Sequence, residues 1–183
     1  MSRILLLAAL LFAGVAGSAQ AAVRVFSYDP ANDITRRVAG PLTFEFKQRL
    51  VFVTVLRVRS TEGRASADLK PADEGVLGHG GLSALIGDRA HERDLYEVEP
   101  TEEGQDLIRA FCPGSSRAWL AFGPVAANED LRVQVLGDEP KAGPKARQSR
   151  LCQTLDFNYH GEWRLPPGPG VPIEAIPIPR FPY

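Results

Sequence analysis

The stretch GVLGHGGLSALIGDRAH, residues 75–91, sets a histidine among glycines and a serine four residues further on. Such a pairing raises acyl transfer, because an α/β-hydrolase combines a glycine-rich oxyanion loop with a serine on a G-x-S-x-G elbow. The nearest match, Gly81-Leu82-Ser83-Ala84-Leu85, lacks the second glycine. The alternating strand–helix pattern that a hydrolase sheet requires is also missing. The glycines beside His79 therefore read as turn formers with positive φ, in a loop.

Metal chemistry is the next possibility for the same segment. His79, Asp88, His91, Glu92 and Asp94 fall within 16 residues, and imidazole with carboxylate suits zinc-like ions. The spacing is not that of a known ligand set: there is no H-E-x-x-H, and His91 and Glu92 are adjacent. His79, His91, Asp88 and Asp94 stand as weak metal candidates, and a periplasmic metal-dependent enzyme built on residues 79–94 is the alternative function they support. Asp29, Asn32 and Asp33 carry calcium-type oxygens without EF-hand spacing, and their string reads as an ordinary turn. No P-loop or dinucleotide fingerprint occurs, so no cofactor and no catalytic residue is expected. Trp119 and Trp163 each lie on a strand-like run, where packing or a platform for sugar or peptide are the two roles. Four cations, Lys141, Lys145, Arg147 and Arg150, share their loop with Asp138 and Glu139, which makes it a solvated hairpin loop.

Several elements would have to position these residues. Arg3 followed by an apolar run over residues 4–15, then Ala19-Gln20-Ala21, has the form of a signal peptide. At 12 residues the run is shorter than the roughly 20 needed to span a bilayer, and no later segment supplies a span. Residues 1–21 are thus expected to be removed, leaving 162 of the 183 residues with 20 basic and 22 acidic side chains. That balance argues against nucleic acid as a partner, and the location implied is periplasmic or secreted. The richness in Ala, Gly, Pro and Arg is that of a GC-rich bacterial gene. In an oxidising compartment Cys112 and Cys152 are expected to form a disulfide, stabilising the fold by roughly 4 kcal/mol through chain entropy.

Residues 22–165 read as a single β-rich domain. Strand chemistry appears at residues 23–28, 42–47, 50–59, 94–99, 117–122, 131–135 and 151–165, with the last two antiparallel neighbours across the loop at 137–149. The run LVFVTVLRVR has apolar residues on both faces, which predicts a central strand. Helical signal is confined to residues 102–111, capped by Thr101, and to a single turn at 82–86. The fold class is mainly β, an antiparallel sandwich or small barrel with one or two short helical turns. Strand parity places Cys152 opposite Leu151, Leu155, Phe157 and Tyr159, so that the bridge clips the helix onto the outside of the last strand.

Residues 166–183, PPGPGVPIEAIPIPRFPY, hold seven of the 15 prolines and exclude helix or central strand. Only Glu174 and Arg180 are charged, so this extension is expected to lie on an apolar surface rather than act as a polar linker. Ile173, Ile176, Ile178, Phe181 and Tyr183 are its docking residues, either in cis or onto an envelope protein. The sequence as a whole implies an exported, soluble, non-catalytic binding or accessory component of the bacterial cell envelope. A small-ligand carrier using the sandwich or barrel interior is the third reading.

Overall fold

The computed structural model describes residues 23–49, 52–60, 65–88, 90–139 and 149–164. In chain order they form β1 (Val23–Pro30), α1 (Asp33–Val38), β2 (Leu42–Arg49), β3 (Phe52–Ser60), β4 (Ser66–Pro71), a 3₁₀ turn (Glu74–Leu77), α2 (Ser83–Ile86), β5 (Asp94–Val98), α3 (Glu102–Phe111), β6 (Ala118–Phe122), β7 (Leu131–Asp138) and β8 (Ser149–Arg164). Each strand pairs antiparallel with the next, and β8 pairs with β1, closing a barrel of eight strands. Closure leaves no sheet edge to be protected. The expected β7–β8 pairing is present, with Val133 opposite Leu155. The 16 residues of β8 serve both seams, Ser149 to Phe157 against β7 and Phe157 to Arg164 against β1.

Inward side chains fill the barrel. Phe26, Phe44, Phe46, Tyr96, Phe122 and Phe157 belong to one buried cluster with aliphatic residues from the strands. Tyr96 stacks on Phe122 at 4.9 Å, and Phe44 meets Phe122 edge-on at 5.7 Å. Aromatic pairs of this kind contribute beyond their buried area. Burial pushes the Tyr96 hydroxyl upward in pKa, against the lowering effect of the hydrogen bond it accepts from the Val55 amide.

One end of the barrel is closed by α3. Thr101 caps the helix by accepting from the Gly104 amide, and Leu107, Ile108 and Phe111 are buried beneath it. The cap and apolar face are those expected from the sequence. Gly104 is required there, since a Cβ would lie 1.9 Å from the Glu99 carbonyl oxygen. Cys112 and Cys152 form the disulfide and tie the helix to β8. Towards the opposite end Arg24 lies over the rings of Phe26 and Phe46 and is held by Glu162 at 2.6 Å and by Gln48 at 2.5 Å.

Three bulges correct the parity readings. The β2–β3 register passes from Glu45↔Arg57 to Phe46↔Val55, leaving Leu56 as an extra residue. Val55 and Val58 both face inward as a result, while Val53 and Leu56 are exposed. The run that looked apolar on two faces buries one. In the β7–β8 ladder Val135↔Gln153 is followed by Leu136↔Leu151, so Cys152 is the extra residue. It packs against the barrel core and Leu151 is the exposed one. The disulfide therefore lies on the inner side of β8, not the outer side expected. The third bulge, in β1–β8, sets Ser27↔Gly161 beside Tyr28↔Tyr159 and re-aims His160. A bulge shifts the face of every residue beyond it, which alternation in sequence does not reveal.

Other boundaries also differ. The loop expected from Gly137 begins later, because Gly137 and Asp138 still pair in β7. The string around Asn32 caps α1 instead of forming a simple turn, with Asn32 Oδ1 accepting from the Thr35 amide. β4 was not expected at all. The expected leader, the four-cation loop apart from Arg150, and the docking residues Ile173, Ile176, Ile178, Phe181 and Tyr183 lie outside the described residues.

Candidate functional site

The connection between β4 and β5 contains the glycine–histidine stretch, and it works as a strap across the barrel's outer wall. Leu77 and Leu82 bury themselves with Leu95, Trp119, Ala121 and Leu136, a second apolar cluster outside the barrel. Gly78, Gly80, Gly81 and Gly87 all have positive φ, as expected of turn formers. Polar ties fix the strap's shape: Glu74 Oε2 accepts from the Leu82 amide at 3.2 Å, and Arg93 donates to Ser83 Oγ at 3.1 Å and to the Asp88 carbonyl at 2.5 Å. Ser83 takes part in that support as an acceptor from Arg93. His79, Asp88, His91 and Asp94 are exposed, and among the described residues no group of three or more His, Cys, Asp or Glu side chains is placed to hold a metal ion. The adjacent Glu92 is buried, at 7% exposure.

The reactive side chains that do meet are on the opposite wall. The bulge in β8 brings His160 Nδ1 to 2.8 Å from Asp29 Oδ2, across 131 residues of sequence. On β1, Val25 and Ser27 face outward, paired with Trp163 and Gly161 of β8. Val25, Ser27 and Trp163, with Pro41, Thr43 and the Asp29–His160 pair, line a depression of about 490 Å³. A Cβ on the neighbouring Gly161 would meet nothing within 4 Å. Trp163 is 59% exposed at the rim of the depression, whereas Trp119 under the strap is 1% exposed. Of the two sequence candidates for a platform, only Trp163 presents a face to an incoming group.

The chemistry available there is that of recognition. An exposed indole stacks on flat or puckered apolar rings, including sugar and prolyl rings. With Nδ1 of His160 engaged by Asp29, its remaining ring nitrogen is the polar contact offered to a ligand. Ser27 lines the same depression, but among the described residues no hydrogen bond joins it to His160, so the nucleophile–base contact of a triad is not formed. Tyr28 also borders the depression. Its hydroxyl is buried without a hydrogen-bond partner, and burial pushes its pKa up. A second recess, of about 270 Å³, opens between Val53 and Val55 on one side and Asp94 and Phe122 on the other.

The sequence signals for this site are Trp163, one of the two platform candidates, and Gly161 within the last strand-like run. A glycine inside a β-rich run marks a bulge or a close backbone approach, and the neighbouring histidine is what the bulge redirects. Its partner Asp29 carried no signal beyond a turn. Among the described residues no helix is long and apolar enough to cross a membrane. No family model matches the chain, and neither a curated protein nor a solved structure matches it, so a functional reading rests on its own geometry.

Proposed function

We propose that the protein is an exported, non-catalytic binding component of the bacterial cell envelope, and that it grips its partner through the depression at Trp163. The observation that carries this reading is a large aromatic side chain, 59% exposed, at the rim of a depression with apolar walls. Aromatic anchors at such places supply much of the energy of recognition. Two further observations support it. Among the described residues the barrel interior is occupied by aromatic and aliphatic side chains, and no nucleophile is bonded to the His160–Asp29 pair.

The test is to express the full precursor in a bacterium, fractionate the cells, and measure retention of the purified protein on envelope extract. The expected result is a periplasmic or secreted product starting near Ala22, with retention that falls at least tenfold in Trp163→Ala. A cytoplasmic, uncleaved product overturns export. Equal retention of both proteins overturns the site.

A further inference from the structure

We infer that the depression at Trp163 takes an uncharged pyranose sugar, one ring lying on the indole with its hydroxyls turned towards Ser27, Asp29 and His160; this rests on the depression being the binding surface. The lining changes character along β1. Val25 stands opposite Trp163 and Ser27 opposite Gly161, and Asp29 then holds His160 at 2.8 Å. Apolar surface gives way to a hydroxyl and then to a carboxylate–imidazole pair. Both members of that pair are 54% exposed. Asp29 spends one oxygen on His160, and among the described residues nothing else bonds to its carboxylate. Ser27 is 9% exposed and lines the depression, and its hydroxyl has no hydrogen-bond partner among the described residues. A buried hydroxyl left unbonded is costly, and a ligand that supplies the bond recovers that cost.

Other occupants fit less well. An extended peptide gains affinity by pairing with an open strand edge, and β1 and β8 are already paired on both sides in the closed barrel. A proline-rich peptide docks in an aromatic-lined groove. Here Tyr28 is 1% exposed, and Trp163 alone of the lining aromatics offers a face. Single-stranded nucleic acid also stacks on aromatic rings, but it needs cations along its phosphates. No Lys or Arg is among the described residues of the lining, and the Asp29 carboxylate repels an anion. The same charge disfavours an acidic sugar. An uncharged pyranose meets each feature. Its axial C–H face is apolar and suits an indole, while its hydroxyls donate to a carboxylate and exchange hydrogen bonds with imidazole and serine. The depression, at about 490 Å³, falls within the roughly 300–1,000 Å³ of small-ligand sites.

The test puts the purified protein on an array of uncharged and acidic oligosaccharides, and on envelope extract that has been delipidated and digested with protease and nuclease. Trp163→Ala and Asp29→Asn are compared with the parent, with far-ultraviolet circular dichroism showing that each barrel is intact. The parent is expected to be retained by at least one uncharged oligosaccharide and by the digested extract. Affinity should fall at least tenfold in Trp163→Ala and several-fold in Asp29→Asn. Adding the retained oligosaccharide should also shift tryptophan emission to the blue in the parent and leave Trp163→Phe unchanged. Retention by no oligosaccharide, by acidic ones only, or equally by Trp163→Ala overturns the inference. So does Trp163-dependent retention on whole extract that disappears after protease digestion, an outcome that keeps the functional reading and makes the partner a protein. Trp163-dependent sugar binding together with unchanged envelope retention of Trp163→Ala would leave this inference standing and remove the functional reading.

Discussion

Trp119 and Trp163 both project from the outer wall of the same barrel, and the chain treats them oppositely. The first is sealed by a strap and ringed by leucines; Arg117 stacks on its indole at 5.0 Å and is held there by Glu97. The second stands open beside a bulge that places a histidine and an aspartate together. The difference shows which outer-wall side chains this molecule buries and which it leaves exposed. It also explains the histidine among glycines: the strap needs glycines to turn, and His79 is at its exposed surface.

Truncating the two tryptophans should break the symmetry most sharply. Trp119→Ala removes a fully buried indole and empties the space beneath the strap, a loss of about 5 kcal/mol. Trp163→Ala removes an exposed one and should change stability by less than about 0.5 kcal/mol. Urea denaturation of both variants beside the parent measures the pair. Similar losses in the two would mean that Trp163 is also structural, and the contrast drawn here would fail.

The disulfide comes next. Cys112 and Cys152 are 40 residues apart, and replacing both with serine should cost about 4 kcal/mol by loop-closure entropy. The closed end of the barrel should loosen while the Trp163 wall keeps its shape, because β1 pairs with the second half of β8, beyond the bridge. Hydrogen exchange in the double serine variant would show faster amides in α3 and early β8. Uniform acceleration through β1 as well would mean that the two regions are not separable.

Much of the covered side could be read from residue order, and little of the open side. α3 announced itself through Thr101 and the spacing of Leu107, Ile108 and Phe111, and β7 through strict alternation. These signals are local, since caps and periodicity act within one element. β4 gave none, because SADLKP is short, mixed and ended by proline. α1 buries only Thr35, so it lacked the apolar stripe that marks a helix. The misreadings of the run around Leu56 and of Cys152 share one cause: each of these residues is the extra one of a bulge, as His160 also is. The candidate site depends on the third bulge and on closure of β8 against β1, a pairing across more than a hundred residues that no local pattern encodes.

The smallest expected effect concerns acid, and it belongs to the covered side. Asp138 ends β7 and holds the turn that follows the disulfide. Its carboxylate accepts from the Ser116 amide at 2.7 Å, from Ser116 Oγ at 2.6 Å and from the Arg117 amide at 2.9 Å. Desolvation works to raise its pKa, but the Ser116 hydroxyl and the two amides outweigh it, and the group lies below its ordinary value. A carboxyl group with a depressed pKa binds fewer protons folded than unfolded, so stability rises with pH across that window. The contribution is complete above the ordinary carboxylate pKa of about 3.9 and disappears as pH falls through the lowered value. Denaturation curves for Asp138→Asn and the parent should therefore differ at neutral pH and converge in acid. If the gap between them persists unchanged at low pH, the lost shape of the turn, and not the charge, is what Asp138 supplies.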